Sequence, residues 1–267
     1  MTASFTTLPG SIAEQYDSKL GPVFFEPYAW DLAARIPSGA SRVLEIAAGT
    51  GIASRALLSV LLPTAHLTVT DLQPAMLDLA AAKVGHDARV ELRQADALAL
   101  PFAEHEFDLV VCQFGVMFFA DALAGLREIR RVLTLDGTFL MSTWGALADN
   151  PIGRIAFEEV SRGLAGDAPP SLTTPFSMDD PEVVTSLLHE AGFSYVRSAV
   201  AELSGESPSA HAAAMGLLCG SPVLVELQDR GVEDPRRLAD AVAARLAREG
   251  GFAPMRLPMR AMVFTAQ

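Results

Sequence analysis

The stretch VLEIAAGTGIAS, residues 43–54, begins as an apolar run suited to a buried strand, carries one carboxylate within it, and breaks into glycines before turning helical. A strand that runs into a glycine loop and then a helix is half of a nucleotide-binding α/β unit. The glycines let a ligand approach the backbone, and the first amides of the helix point at it. Glu45 is the residue that does not fit a plain strand. Charged and unpaired in the interior it would cost several kcal/mol. Either it lies half-exposed at an edge, or it meets a partner, which a loop bending back over the glycines could supply as backbone amides.

Outward from this stretch, strand and helix signals alternate. Residues 42–47, 66–70, 89–94, 107–112 and 138–143 read as strands, the fourth nearly all apolar and so buried on both faces. Residues 52–62, 73–84 and 122–133 read as helices between them. The first is stopped by Pro63, the second has Pro74 near its start, and the third leads through a turn at Asp136-Gly137. A helix over 181–191 ended by Gly192 follows, then strands over 195–203 and 258–265, expected to pair antiparallel at the sheet edge. The pattern predicts an α/β fold: a Rossmann-like, doubly wound, mostly parallel seven-stranded sheet with an antiparallel edge strand, plus helical and loop inserts forming a lid. It divides the chain into an aromatic leader or cap, 1–38, a nucleoside-binding core, 39–203, with an insert at 145–178, and a helical insert with the final strand, 204–267.

With 267 residues, half of them apolar, the chain can bury a sizeable core. Its formal charge of −12, with Lys19 and Lys83 the two lysines, repels phosphate backbones, so nucleic acid is not an expected partner. No apolar stretch approaches the roughly 18 residues needed to span a bilayer, and no basic region precedes a short apolar run. A cytoplasmic protein without a membrane partner is expected. Cys112 in a strand and Cys219 in a helix make neither a disulfide framework nor a metal cluster and read as core fillers. The triplet Glu104, His105, Glu106 resembles a ligand cluster, but it occupies the turn before the fourth strand, and no metal is expected.

Right-handed crossovers bring the carboxyl ends of successive strands to one edge, where ligands bind. Gly49, Thr50 and Gly51 lie at the end of strand one. Asp71 lies at the end of strand two, 20 residues past Gly51, the spacing of an acid that grips a ribose diol, although an ordinary helix cap would also place an Asp there. Strand three ends at Gln94-Ala95-Asp96-Ala97, a second carboxylate able to accept from an adenine amino group. These features fit an adenosine nucleoside. A dinucleotide fingerprint wants Gly or Ala where this chain has Ser54, which disfavours an NAD(P)-dependent oxidoreductase.

The segments VLEIAAGTG (43–51), VTDLQPAML (69–77), RQADALALPF (93–102) and FDLVVCQFGVMFFAD (107–121), in that order and spacing, resemble the motifs of the class I S-adenosylmethionine-dependent methyltransferases. The resemblance is strongest to the branch that includes quinone-biosynthesis methyltransferases. The leader segment IAEQYDSKLGPVFFEPYAWDLAARI (12–36) is also similar to that branch, and the likeness covers about 16–144, more weakly 181–267. It implies S-adenosylmethionine as cofactor and S-adenosylhomocysteine as product. Ala47, Gly49 and Gly51 would line the methionine portion, and Asp71 would hold the ribose hydroxyls with Leu72 and Met76 beside the adenine. Asp96 and Ala97 would face the adenine amino group, Gln113 and Phe114 would stand between cofactor and acceptor, and Tyr16 would close over the cofactor. Glu45 would order the glycine loop. Ala47 departs from the glycine that many members carry, and its methyl is tolerable if the backbone stays out of left-handed φ. A member that keeps the cofactor site for a non-methylating role is the alternative.

Methyl transfer from a sulfonium needs chiefly in-line positioning, so a base is optional. His66, His86 and His105 precede strands and lie at the wrong edge, and His189 is on the edge helix. His211 in the second insert is the histidine able to swing over the site, although a solvated helix residue reads the same way. Asp17, Glu26 and Tyr28 stand on an equal footing. Phe24, Phe25, Tyr28, Trp30, Phe114, Met117, Phe118 and Trp144 supply aromatic and apolar surface for a small, largely apolar or aromatic acceptor, and core packing would use the same residues. Trp144 reads equally as a cavity wall or as core.

Overall fold

Four short apolar runs form the parallel half of a sheet: Arg42–Glu45 (β1), His66–Asp71 (β2), Val90–Gln94 (β3) and Phe107–Gln113 (β4). Val43 faces Leu67 on one side and Leu109 on the other, so β1 is a central strand, and Leu109 to Cys112 of β4 are fully buried. The fifth strand, Leu133–Trp144 (β5), starts earlier than expected. Phe107 pairs with Leu133 and Leu109 with Thr138, so residues 134–137 bulge from the ladder. The predicted turn at Asp136-Gly137 is therefore corrected to a bulge within a strand. Val196–Ser207 (β6) and Met255–Ala266 (β7) complete seven strands among the described residues, in the order β3-β2-β1-β4-β5-β7-β6. β7 runs antiparallel to β5, Phe139 opposite Ala266 through Trp144 opposite Ala261. Tyr195 and Gln267 exchange both backbone hydrogen bonds, the mark of an antiparallel pair beside β6.

The computed structural model describes residues 10–164 and 167–267; residues 1–9 of the predicted leader and 165–166 of the predicted first insert lie outside the described residues. The leader is helical, Gly10–Gln15 (α1) and Glu26–Ala33 (α2), joined by a π-helical segment, Tyr16–Phe25, that contains Pro22. Ile52–Val60 (α3), Pro74–Val84 (α4) and Ala122–Val132 (α5) are the crossover helices. Asp121 caps α5 by accepting from Ala124 N at 2.9 Å, and the helix buries Leu126, Ile129 and Val132. Pro151–Leu164 (α6), Pro181–Glu190 (α7), Ala210–Cys219 (α8), Val223–Asp229 (α9) and Pro235–Gly250 (α10) follow.

Two compact units result. One holds Tyr28–Gly145, Met178–Ala201 and Ala261–Gln267, with a core that includes Leu44, Val110, Leu126, Ile129, Phe139 and Phe264. Burial pushes the Cys112 thiol up to about 12, so it packs there as a neutral, apolar group. The other unit holds the described residues up to Pro27 with Ala146–Ser177 and Glu202–Arg260. There α8 and α10 bury Ala213, Ala214, Leu218, Val242 and Leu246. Among the described residues no single helix is long and apolar enough to cross a membrane; α8 and α9, bent by 60°, pass as a pair on length and composition alone.

Candidate functional site

The sequence 46–51 turns sharply because three of its residues take left-handed backbone: Ala47 at φ 53, Gly49 at φ 56 and Gly51 at φ 80. The condition set on the Ala47 methyl, a backbone outside left-handed φ, is thus not met. A non-glycine residue there costs about 1–2 kcal/mol, and the loop is held against that cost by its bonds. Ile46 N donates to Val111 O at 2.9 Å, Ala48 N to Thr70 O at 2.9 Å and Gly51 N to Ala48 O at 3.1 Å. Thr70 Oγ1 donates to the backbone oxygen of Glu45 at 2.7 Å, and Lys83 Nζ of α4 to that of Thr50 at 2.7 Å.

The two loop glycines are glycine for different reasons. A Cβ on Gly51 would stand 2.9 Å from the backbone Cα of Ala80, so this glycine admits α4 against the loop. A Cβ on Gly49 would meet nothing within 4 Å, so its flank is open. Asp71 both turns its own chain and clamps the loop. Its Oδ1 accepts from Gln73 N at 2.8 Å, ahead of α4, and its Oδ2 accepts from Gly49 N at 2.8 Å. Burial raises its pKa, and the amides of Gln73, Gly49 and Leu72 oppose that rise.

Glu45 is buried with both carboxylate oxygens unbonded, so neither the half-exposed edge reading nor the expected loop amides hold. Burial pushes its pKa up from 4.5 to about 8, and the nearby charge of Asp71 adds to this. The hydroxyl and amide of Ser54 act in the opposite sense, without reaching it in hydrogen-bonding geometry; the Ser54 hydroxyl is itself buried and unbonded.

At the neighbouring strand ends, Leu72 is 51% exposed and Met76 is buried on α4. Asp96 is exposed, its Oδ1 accepting from Leu98 N at 2.9 Å, and Ala97 is half-buried against the core. Gln113 ends β4 opposite Ser142. Phe114 follows with φ 52, its ring stacked on Trp144 at 3.9 Å between centroids and 2° between planes. Tyr28 of α2 meets both rings edge-on, at 5.4 and 5.1 Å, and Met117 is buried just beyond. Tyr28, Phe114 and Trp144 are all buried, and the structure brings them together. In the leader, Tyr16 stacks on Phe25 at 5.2 Å, and Phe24 lies 6.2 Å from Phe25.

A family model described as a methyltransferase domain matches residues 43–137. The chain is similar to the demethylmenaquinone methyltransferase of Clavibacter sepedonicus, 30% identical over 175 residues, 60% of this chain and 68% of that one. It is similar also to that of Deinococcus radiodurans, 32% identical over 163 residues, 57% of this chain and 67% of the other. The chain is a class I S-adenosylmethionine-dependent methyltransferase. Its fold matches that of phosphoethanolamine N-methyltransferase 2 from Haemonchus contortus, solved with phosphomonomethylethanolamine and S-adenosylhomocysteine, with a TM-score of 0.62 at 17% identity over 98% of this chain and 58% of that one. The cofactor of the enzyme is S-adenosylmethionine.

Of the methyltransferase's candidate bases, His211 lies exposed on α8 with Nδ1 3.7 Å from Asp240, and Asp17 is half-buried in the π-helical segment. Tyr28 donates its hydroxyl to the Ala201 carbonyl at 3.5 Å. Sequence reasoning missed three residues. Ser54 counted there only as a departure from a dinucleotide pattern, yet it is the hydroxyl that acts on Glu45. Gly115 carries no signal in the sequence, since its contact with Ala47 exists only in the fold. Lys83 carried a usable signal, being one of two lysines in the chain.

Proposed function

We propose that this methyltransferase acts on a small, largely apolar or aromatic acceptor, aligned against Tyr28, Phe114 and Trp144. The observation that carries the reading is the flat Phe114–Trp144 stack closed edge-on by Tyr28, built on residues that follow β4 and end β5, at the same ends of the parallel strands as the glycine loop. The relatives named above are, by their names, methyltransferases of demethylmenaquinone, which favours a quinol-like acceptor for this chain. The cytoplasmic setting expected from the sequence belongs to the same proposal; free Cys112 and Cys219 are compatible with a reducing compartment.

The residues of the loop suit the cofactor. An open flank at Gly49 leaves room beside the backbone, and the carboxylate of Asp71, bonded to Gly49 N, stands next to it, with the protonated Glu45 buried beneath the loop. The Asp71 carboxylate suits the ribose hydroxyls of a nucleoside and opposes the pyrophosphate of NAD(P). In this proposal Ala47, Gly49 and Gly51 line the methionine portion, and Asp71, Leu72, Met76, Asp96 and Ala97 the adenosine. Gln113 stands toward the acceptor. Tyr16, Phe24 and Phe25 belong to the leader's share. When bound, the sulfonium supplies an already activated methyl group. The chain's own task is then to orient the acceptor and keep water out, for which ordered approach is worth up to ~7–11 kcal/mol in favourable intramolecular cases. No side chain is assigned as a base.

Calorimetry with S-adenosylmethionine, S-adenosylhomocysteine and NAD tests the cofactor side. Binding of both adenosyl compounds at about micromolar Kd, with none for NAD, is expected; the reverse overturns the reading. Asp71→Ala should weaken S-adenosylmethionine about ten- to a hundredfold, through loss of charge-assisted bonds and of the clamp on Gly49. Unchanged affinity with a lower melting temperature would leave Asp71 a structural turn residue. On the acceptor side, methylation of dihydroxynaphthalenes or phenols but not of phosphoethanolamine is expected, and the opposite preference rejects the aromatic wall.

A further inference from the structure

The Ala47 methyl group does more than occupy the glycine loop. The next loop along the sheet edge carries Gly115, on which an added Cβ would stand 2.6 Å from Ala47 Cβ and 2.7 Å from Cys112 Sγ. The methyl of Ala47 therefore fills the place a side chain at 115 would take. Phe114, the residue before Gly115, has left-handed backbone at φ 52, a conformation that a bulky residue keeps only when its surroundings fix it. Those surroundings are specific. Phe114 N donates to Ser142 O at 3.0 Å, Gly115 O accepts from Phe118 N at 2.9 Å, and the Ala47 methyl abuts Gly115. With that backbone fixed, the Phe114 ring lies flat on Trp144, and both are buried.

We propose that Ala47 is a positioning residue: its methyl, wedged against Gly115, holds Phe114 in left-handed backbone and so ties the aromatic wall of Tyr28, Phe114 and Trp144 to the glycine loop. This rests on the reading of that wall as the acceptor face and of the loop as the cofactor's. Both strained residues, Ala47 and Phe114, lie on the two sides of one contact. Strain kept at such a junction, in a chain with glycine available at neighbouring positions, is a cost that the interlock explains. The consequence is that the wall follows the loop, so that a group settling beside the loop shifts the Phe114–Trp144 stack.

The test uses the fluorescence of Trp144 in a Trp30→Phe background, since Trp30 and Trp144 are the two tryptophans and Trp30 is half-exposed. Without any ligand, Ala47→Gly should raise acrylamide quenching of Trp144 at least about twofold, because the stack loosens. Ala47→Ser keeps the β carbon and should quench like the unsubstituted protein. Addition of S-adenosylhomocysteine should change Trp144 quenching in the unsubstituted protein and in Ala47→Ser, and the change should fall to half or less in Ala47→Gly. Equal quenching in all three proteins overturns the proposal, even if Ala47→Gly melts at a different temperature. A Trp144 that stays silent when calorimetry shows S-adenosylhomocysteine bound overturns the tie between loop and wall. Failure of the unsubstituted protein to bind S-adenosylhomocysteine strikes instead at the cofactor reading, and the ligand-free comparison still decides whether the methyl holds the stack.

Discussion

Glu45 keeps its proton to about pH 8 because burial, with Asp71 close by, penalises the charged form. In the unfolded chain the same carboxyl ionises near its ordinary 4.5. The folded state therefore holds one more proton than the unfolded state between these values, and stability falls as pH rises across that window, by up to about 1.4 kcal/mol per pH unit. The contribution is fully present below 4.5 and lost once the pH passes about 8. Glu45→Gln stays neutral throughout, so its urea-unfolding free energy should decline less over the same range, while the effect of Asp71, raised in the same direction, remains common to both proteins. Parallel pH curves would mean that Glu45 is ionised in the folded protein. A carboxylate inside an apolar run was conspicuous in the sequence because charged side chains are rarely buried without a partner. Its neighbour was not, because Ser54 lies nine residues on and faces it only through the three left-handed turns of the loop. Alanine gives no sign of that conformation, so the strain at Ala47 was equally hidden.

Gly49 and Gly51 look alike in the sequence, yet the elements packed around them separate their roles. Gly51→Ala combines left-handed φ with a Cβ 2.9 Å from the Ala80 backbone, so α4 must move, and a loss of at least about 2 kcal/mol is expected. Gly49→Ala carries the φ strain alone, about 1–2 kcal/mol, but its methyl fills the open flank. It should melt above Gly51→Ala and weaken S-adenosylmethionine at least about tenfold, some 1.4 kcal/mol. Melting curves and calorimetry on the pair check this, and cofactor affinity in Gly49→Ala equal to that of the unsubstituted protein would show that the flank is not used. Elements built on hydrophobic runs, such as β4 and α5, were legible because period and burial coincide in them. The bulge at 134–137 was not: Asp-Gly is a turn signal taken alone, and only pairing with β4 carries it inside a strand. The π-helical Tyr16–Phe25 was hidden for a related reason, since i→i+5 bonding leaves no distinct hydrophobic period in ten residues.

On the scale of the whole chain, the acidic excess of −12 puts a premium on where its arginines go. In the unit that contains α6 and α10, Arg245 lies beside three carboxylates: Glu159 at 3.1 Å, Glu249 at 3.2 Å, and Glu158. Arg154 bridges Glu158 at 3.2 Å and Glu249 at 3.0 Å. The local pair Arg245–Glu249 was readable at helical spacing, but Arg245 and Glu159 are 86 residues apart, a contact that only the tertiary fold creates. Isolated surface pairs contribute little, whereas a shared guanidinium that also screens three acids from one another is worth about 1 kcal/mol or more. Arg245→Gln keeps the length and removes the charge, leaving Arg154 to Glu158 and Glu249 and Arg162 to Glu159. If the two compact units open independently, amide hydrogen exchange in α6 and α10 should accelerate about fivefold, corresponding to that 1 kcal/mol, while exchange in β1 and β4 stays unchanged. In about 1 M salt, where the Debye length falls to ~3 Å, the difference should shrink. Equal acceleration in the central strands would show instead that the chain opens as one cooperative body.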